Sequence, residues 1–297
     1  MSHDAIVVGA SFAGLSAAMQ LARARKRVLV VDAGKPRNRF ADASHGFLGQ
    51  DGVAPLAIMQ TGAQQLAAYP TVSFVHGEAL LASPIAEGFR IQLADGSSHD
   101  ARRLVLATGV RDELPDVPGL HERWGKTVLH CPYCHGFEVA GQRLGVLANH
   151  AMSAHQGTLI PDWGPTTYFT QGRFEPDVDQ MAHMTTRGVT IERTPVVALL
   201  GDAPGLDAVR LADDRIIPIG ALFTAPHTHM SSPLAMQLGC AFEQGPLGPY
   251  IRVDERKQTS VPGVYAAGDA ASPMANATMA SASGVMAGVG AHQSMFA

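Results

Sequence analysis

The sequence has few cysteines and little excess charge. Its 297 residues include only three cysteines, too few for the disulfide framework of a secreted domain. The formal net charge of -4 gives no electrostatic reason to expect nucleic acid or an anionic membrane as a partner. No stretch resembles a membrane span. The apolar segment from Ala5 to Ala22 is followed, not preceded, by basic residues, which is the wrong order for a signal peptide. We therefore expect a soluble, cytoplasmic protein.

The chain does have the strand and helix alternation of an α/β protein. Residues 5–8 form a continuous apolar run, and in the strand predicted at 27–31 every residue after Arg27 is apolar; the two lie on either side of a helical pattern at 12–23. Strands without polar alternation are typical of a parallel sheet that helices cover on both faces. A second unit of this kind is predicted from the strand at 143–147 and the helical stretch that follows it to about residue 160.

A glycine-rich turn joins the first predicted strand to the first predicted helix. Such a turn places backbone amides and a helix N-terminus against a pyrophosphate. An acid 23 positions after Gly9 would bind the ribose of an adenosine. A tight turn without a ligand would show the same local pattern. The candidate cofactor-binding residues are Gly9, Ser11 (in place of the second glycine), Phe12, Ala13, Gly14 and Asp32.

Two later segments resemble FAD motifs of flavoproteins with two dinucleotide-binding domains. The resemblance implies that Asp269 binds the ribityl chain and that a helix start near Asn276 faces the pyrimidine end of the flavin, where the helix dipole favours negative charge. FAD is the predicted cofactor. The residues that carry this resemblance are Ala107, Thr108 and Gly109 in one segment, and Gly268, Asp269, Asn276 and Ala277 in the other.

Cys131 and Cys134 form a Cys-Pro-Tyr-Cys motif followed by a histidine. This spacing lets two thiols cycle between dithiol and disulfide. The pattern also occurs at c-type haem attachment sites and can bind zinc. Haem attachment needs export, and a structural zinc site needs a second ligand pair that the sequence lacks. We therefore predict a redox pair and no metal.

Together these motifs resemble the low-molecular-weight thioredoxin reductase family and its dithiol oxidase branch, along the whole chain. The resemblance implies two Rossmann-like domains: an FAD domain (1–112 and 242–297) split by an inserted pyridine-nucleotide-type domain (113–241). It also implies that Cys134 lies against the flavin, that Cys131 exchanges with substrate, and that the protein is a homodimer. The implied partner is a small dithiol or disulfide, or a thioredoxin-like protein.

His135 stands where the family's reductases have an acid-base aspartate, which is closer to the dithiol oxidase pattern. A histidine titrates near neutral pH and can accept a thiol proton. The alternative is that His135 merely caps the local turn. Glu138 is a weaker candidate for the same role.

The inserted domain lacks the expected NADPH turn. Ala148 and His150 occupy the positions of its first two glycines, and an imidazole would fill the space that pyrophosphate needs. The basic cluster that reads a 2′-phosphate is also missing. We predict that ordinary NADPH binding is lost, although a drifted motif with another binding pose would look similar.

These features lead to three hypotheses of function. The first is an FAD-dependent thiol-disulfide oxidoreductase that oxidises dithiols and passes electrons to oxygen. The second is a disulfide reductase of the thioredoxin reductase type, fed by NAD(P)H or by a reduced protein such as ferredoxin. The third is a flavin-bound redox sensor with little turnover.

Overall fold

The structure, a computed structural model, describes residues 3–296. Within that range the chain forms nineteen strands and seven α-helices. The strands are β1 (His3–Val8), β2 (Val28–Asp32), β3 (Val72–His76), β4 (Ala79–Ile85), β5 (Gly88–Leu93), β6 (Ser98–Leu106), β7 (Val110–Glu113), β8 (Val128–Leu129), β9 (Leu144–Leu147), β10 (Thr166–Phe169), β11 (Thr190–Glu192), β12 (Val196–Leu200), β13 (Ala208–Leu211), β14 (Ile216–Pro218), β15 (Ala221–Phe223), β16 (His227–Met230), β17 (Phe242–Gln244), β18 (Pro249–Ile251) and β19 (Val264–Ala266). The helices are α1 (Phe12–Arg23), α2 (Pro55–Ala67), α3 (Pro132–His135), α4 (Ser153–Leu159), α5 (Val178–Thr186), α6 (Leu234–Gln237) and α7 (Ala277–Gln293).

The chain divides into two compact units. The first unit comprises residues up to 39, 55–111 and 228 onwards. Its seven-stranded sheet has the order β3-β2-β1-β6-β5-β4, with β19 also paired to β6. Strands β3, β2, β1, β6 and β19 run parallel, whereas β4 and β5 add an antiparallel edge. The last four residues of β1 are all buried, as expected of a parallel strand covered on both faces.

Helices α1 and α7 of the first unit pack backbone to backbone. A Cβ on Gly284 would meet the backbone of Ala13, and one on Gly288 would meet the backbone of Ala17. These glycines lie one helical turn apart, so they form a groove on α7 that receives α1. Close approach of two helices at small residues holds the N-terminal end of α1 in a fixed place.

The second unit comprises residues 40–54 and 112–227. It contains a five-stranded parallel sheet in the order β11-β10-β9-β15-β8 and a three-stranded antiparallel sheet in the order β12-β13-β14. The guanidinium of Arg123, only 3% exposed, donates hydrogen bonds to the carbonyls of Gly119, Gly201 and Gly205 at 2.7, 2.5 and 2.7 Å. One buried side chain thus ties three loop segments of this unit together.

The predicted α/β class, with two units built on parallel sheets and the first unit split by the second, is confirmed. The predicted domain bounds differ from the observed units in two segments. Residues 228–241 belong to the first unit, because Gln237 of α6 accepts a hydrogen bond from the Ala82 amide of β4 and donates one to the Leu80 carbonyl. Residues 40–54 belong to the second unit, where Asp42 forms an ion pair with Lys126. Within the described range, no helix combines the length and apolarity needed to cross a membrane.

Candidate functional site

The turn between β1 and α1 is shaped by two glycines. Gly9 has a φ of +104°, and a Cβ there would run into the carbonyl of Ala107. A Cβ on Gly14 would run into the carbonyl of Gly9. Ser11 is the N-cap of α1, and its side chain makes no capping hydrogen bond. The turn therefore presents the helix N-terminus without a side chain across it, which is the geometry that suits a phosphate.

Asp32 closes β2 beside this turn. Its Oδ1 accepts a hydrogen bond from the Ala10 amide at 2.9 Å, and its Oδ2 accepts one from the Gly34 amide at 3.1 Å. The carboxylate thus orders the glycine turn in addition to its predicted role toward an adenosine ribose. Phe12 and Ala13 lie in the first turn of α1 and are buried. Their contribution to the glycine turn is therefore packing.

The second predicted FAD segment lies in the same unit. Gly268 has a φ of +71°, and its amide donates to the Ser283 hydroxyl at 2.9 Å. Oδ2 of Asp269 lies 3.0 Å from the guanidinium of Arg37. Asn38, the residue after Arg37, has a buried Oδ1 without a hydrogen-bond partner among the described residues. Sequence reasoning missed both Arg37 and Asn38, because no motif marks the loop after β2.

The remaining predicted FAD residues lie at strand and helix ends of the first unit. Asn276 caps α7, its Oδ1 accepting from the amides of Thr278 and Met279 at 2.8 and 3.3 Å, and Ala277 is the first residue of that helix. Ala107, Thr108 and Gly109 follow β6, and the Ala107 amide donates to the Val8 carbonyl of β1 at 2.9 Å.

These features fit a dinucleotide such as FAD. The glycine turn is a cradle that a Cβ would fill, and two helix N-termini belong to the same unit. The buried Oδ1 of Asn38, next to Arg37, has no hydrogen-bond partner among residues 3–296. When bound, FAD supplies a two-electron acceptor and donor. The structure brings all the sequence-predicted FAD residues into the first unit; their individual roles stay predictions.

The two cysteines belong to a single helical turn of the second unit, one as its N-cap and the other within it. Cys131 and Cys134 form a disulfide with a Cα–Cα distance of 5.3 Å. Cys131 is the N-cap of α3 and Pro132 its first residue. The amides of Cys134 and His135 both donate to the Cys131 carbonyl at 3.2 Å. The backbone of this compact turn therefore holds the two sulfur atoms together, as the spacing predicts.

Aromatic side chains surround this turn. Trp163 packs against Gly136, where a Cβ would meet the indole ring, and Trp163 also lies edge-on to Tyr133 with ring centroids 5.7 Å apart. Tyr133 and Phe137 are 73% and 84% exposed. Two exposed aromatic rings beside a disulfide offer apolar contact area to a substrate.

His135 lies in a cluster that the sequence did not reveal. Its ring is edge-on to that of His45, with centroids 6.3 Å apart. Nε2 of His45 lies 3.3 Å from Oε1 of Glu138, and its Nδ1 lies 3.6 Å from Oδ1 of Asp51. Burial lowers the pKa of His135, with Glu138 raising and His45 lowering it to smaller extents. Neutral His135 is therefore favoured at physiological pH, and a neutral imidazole can accept a proton.

The turn after β9 has its amides bonded within the chain. The amides of Asn149 and His150 donate to the Ser153 hydroxyl at 3.0 and 3.3 Å. The Met152 amide donates to Nδ1 of His150 at 3.1 Å. The His150 ring lies 5.6 Å from that of His227.

In the described residues, the loop after β10 has no cluster of basic side chains that could bind a phosphate. Its acid Glu175 pairs with Arg193 at 3.2 Å, and Gln171 bonds through its side chain to both the amide and the carbonyl of Val196. Among residues 3–296, no group of three or more histidine, cysteine or acidic side chains is arranged to hold a metal ion.

Comparison with known proteins supports the same family. The chain matches the family described as pyridine nucleotide-disulphide oxidoreductase over residues 3–149 and 169–284. It is 32% identical to thioredoxin reductase tcpT of Claviceps purpurea over 96% of this chain and 92% of that protein. It is also 32% identical to thioredoxin reductase sirT of Leptosphaeria maculans, over 97% and 92% of the two chains. A crystal structure of an oxidoreductase from Agrobacterium tumefaciens superimposes with a TM-score of 0.95 at 47% identity, covering 100% of this chain and 99% of that one.

The same family is indicated by the glycine turn, by the disulfide and by these relatives. The chain belongs to the pyridine nucleotide-disulphide oxidoreductase family, as an FAD-dependent disulfide oxidoreductase of the thioredoxin reductase type.

Proposed function

We propose that this enzyme oxidises small dithiols to disulfides at Cys131 and Cys134, delivers the electrons through FAD to dioxygen, and does not use NADPH. The observation that carries the proposal is the turn after β9. Its amides of Asn149, His150 and Met152 are already bonded to side chains of the same loop. A pyrophosphate would have to break these bonds and displace the His150 imidazole. Electrons from a thiol substrate need no such site.

The chemistry at the disulfide balances with a dithiol as donor. A substrate thiolate attacks Sγ of Cys131, forming a mixed disulfide and releasing Cys134 as a thiolate. The second substrate thiol then attacks the substrate sulfur of the mixed disulfide, so that the substrate leaves as its disulfide and Cys131 as a thiolate. Both cysteines end as thiols once protons are returned. The Cys131–Cys134 disulfide re-forms when the two thiols give up two electrons and two protons. FAD, held by the glycine turn after β1, would supply the acceptor for that electron pair, and dioxygen would take up the two electrons and two protons as hydrogen peroxide.

His135 provides the acid-base chemistry of these steps. It lies next to Cys134 in sequence and on the same turn, and its lowered pKa keeps the ring available as a base near neutral pH. It accepts the proton of an attacking substrate thiol and returns a proton to the departing cysteine thiolate. A base of this kind is useful because only the thiolate is nucleophilic.

Anaerobic reduction of the flavin tests the proposal. Purified holoenzyme is mixed in turn with NADPH, NADH and a small dithiol such as dithiothreitol, and the flavin absorbance is followed. We expect bleaching by the dithiol alone, recovery in air, and one hydrogen peroxide per dithiol consumed. A Cys131→Ser variant, which lacks the attacked sulfur, is the matched control and should not bleach. Rapid bleaching by NADPH would instead make the protein an ordinary reductase.

A further inference from the structure

His45 stands between two carboxylates and beside the proposed base. Its Nε2 faces Glu138 at 3.3 Å and its Nδ1 faces Asp51 at 3.6 Å. Its ring meets that of His135 edge to face at a centroid distance of 6.3 Å. The His45 side chain is 22% exposed, compared with 41% for Glu138 and 70% for Asp51. The histidine is thus the most enclosed of the three and links both acids to the disulfide turn.

The segment that carries His45 is closed on itself. The Ser44 amide donates to the Val53 carbonyl and the Gly52 amide to the Ser44 carbonyl, both at 2.8 Å. Oδ1 of Asp51 accepts from the Gly46 amide at 2.8 Å. These hydrogen bonds fix the backbone on either side of His45. The position of the His45 ring therefore depends on the fold of this loop.

Oε1 of Glu138 lies 3.3 Å from Nε2 of His45, although Glu138 follows His135 by only three residues. A glutamate at that spacing from a one-turn helix is within electrostatic reach of His135, and it favours the protonated ring. A histidine nitrogen this close to the same carboxylate competes for it. His45 itself also lowers the pKa of His135. Both effects act in the same direction on His135.

Building on the proposed function, we propose that His45 is a positioning residue for proton transfer at the disulfide. It occupies the Glu138 carboxylate that would otherwise pair with His135, and it thereby keeps His135 neutral and able to accept a thiol proton. The charged and titratable groups that face His135 in this arrangement are His45 and Glu138, and Asp51 faces His45 from its other side.

A titration of His135 in the oxidised holoprotein tests this proposal without any turnover. Ring-labelled histidine signals are followed by NMR, and the His135 signal is assigned from its loss in a His135→Asn variant. In His45→Ala, we expect the His135 pKa to rise by about 1 unit, because a nearby carboxylate typically shifts a titrating group by that amount or more. In His45→Gln, which can still donate to Glu138, we expect the pKa to stay closer to that of the unaltered protein.

The double variant His45→Ala/Glu138→Gln separates positioning from a general loosening of the loop. If the Glu138 carboxylate is the agent, the rise seen in His45→Ala disappears when Glu138 is neutral. A rise that persists in the Glu138→Gln background, or no rise in His45→Ala, overturns the proposal. His183→Ala, an exposed histidine on α5, is the matched control and should leave His135 unchanged.

A kinetic measurement adds a second readout. The acidic limb of kcat/KM for dithiol oxidation should move to higher pH in His45→Ala by the same amount as the His135 pKa. If the unaltered enzyme oxidises no dithiol, the proposed function fails while the titration still decides the role of His45. If the enzyme oxidises dithiols and the limb does not move, the proposed function stands and the role of His45 is refuted.

Discussion

Nδ1 of His150 accepts a hydrogen bond from the Met152 amide at 3.1 Å, across the turn where a nucleotide-binding domain presents its amides. The imidazole does here what a phosphate oxygen does in a nucleotide complex: it satisfies an amide at the start of a helix. Ser153 does the same for the amides of Asn149 and His150. The turn is therefore stable without a ligand, and binding one would gain few new bonds.

A His150→Gly/Ser153→Ala variant should recover nucleotide affinity. It frees the three amides and removes the imidazole, and each charge-assisted bond to a phosphate contributes about 1.5 kcal/mol or more. We expect NADPH to bind at least about tenfold more tightly than to the unaltered protein, measured by calorimetry. His155→Ala, an exposed residue on α4, serves as the control. Unchanged affinity in the double variant would mean that side chains elsewhere block the site.

The two cysteines should behave differently when substituted singly. With the roles that the family resemblance implies, Cys134→Ser keeps the attacked sulfur of Cys131 and cannot resolve the mixed disulfide internally. After incubation with an oxidised substrate, intact mass spectrometry should show this variant carrying one substrate molecule. Cys131→Ser should carry none under the same conditions. Equal labelling of both variants would show that the roles are not divided in this way.

Dithiol oxidation should depend on the neutral form of His135. Burial lowers the pKa of this ring, so activity should rise with pH through a value below the ordinary histidine pKa of about 6.5 and hold at neutral pH. Loss of a general base typically costs about 100-fold to 10,000-fold in rate, and we expect a His135→Asn variant to fall in that range. A pH series of kcat/KM measures both effects. A His135→Asn variant that kept full activity would leave His135 with only the turn-capping role.

The parts of the molecule that were predictable from the sequence are local ones. The strand, turn and helix around Gly9 could be predicted because glycine placement and apolar runs are adjacent in the chain. The disulfide could be predicted because its spacing is three residues. Likewise, the unusual turn at His150 was visible as substituted glycines, although the sequence did not show that Ser153 would bond its amides.

The parts that escaped prediction depend on residues far apart in the chain. His45 precedes Glu138 by more than ninety positions, and its segment carries no periodic pattern that would assign it to the second unit. Arg37 donates a hydrogen bond to Asp269, although the two residues are more than two hundred positions apart in the sequence. The predicted boundary at 241 and the compact units divide the chain differently around α6, because hydrogen bonds from the Gln237 side chain to the β4 backbone leave no mark on a linear pattern.

Adding a single methyl group to a glycine in the α7 groove should destabilise the protein. In Gly284→Ala, the added Cβ would overlap the backbone of Ala13, which cannot rotate away. Overpacking of this kind costs about 1–3 kcal/mol, and it would displace the N-terminal part of α1. We expect a lower free energy of unfolding and less FAD retained on purification. Val285→Ala, on the exposed side of the same helix, should change neither; a similar loss in both variants would point to α7 itself and not to its packing.

Arg123 should be essential to the second unit. Its substitution by methionine keeps the volume of the stem but leaves the carbonyls of Gly119, Gly201 and Gly205 without their donor. We expect the free energy of unfolding to fall by about 1.5–3 kcal/mol, the range for hydrogen bonds made by a charged group. Urea denaturation followed by circular dichroism measures this. Arg210→Met, on an exposed position of β13, is the comparison, and an equal loss there would contradict the argument.

The discontinuous first unit sets an order of events during synthesis. Strand β19 fills its place beside β6, and α7 its place against α1, only after residues 264–293 have left the ribosome. The second unit has all of its segments, 40–54 and 112–227, well before then. Domains fold as units once their sequence is available. The second unit, which holds the redox cysteines, can therefore be complete before α7 of the first unit has been translated. In that order the disulfide turn would form before the first unit is complete, and FAD would bind to that unit only after α7 has been translated.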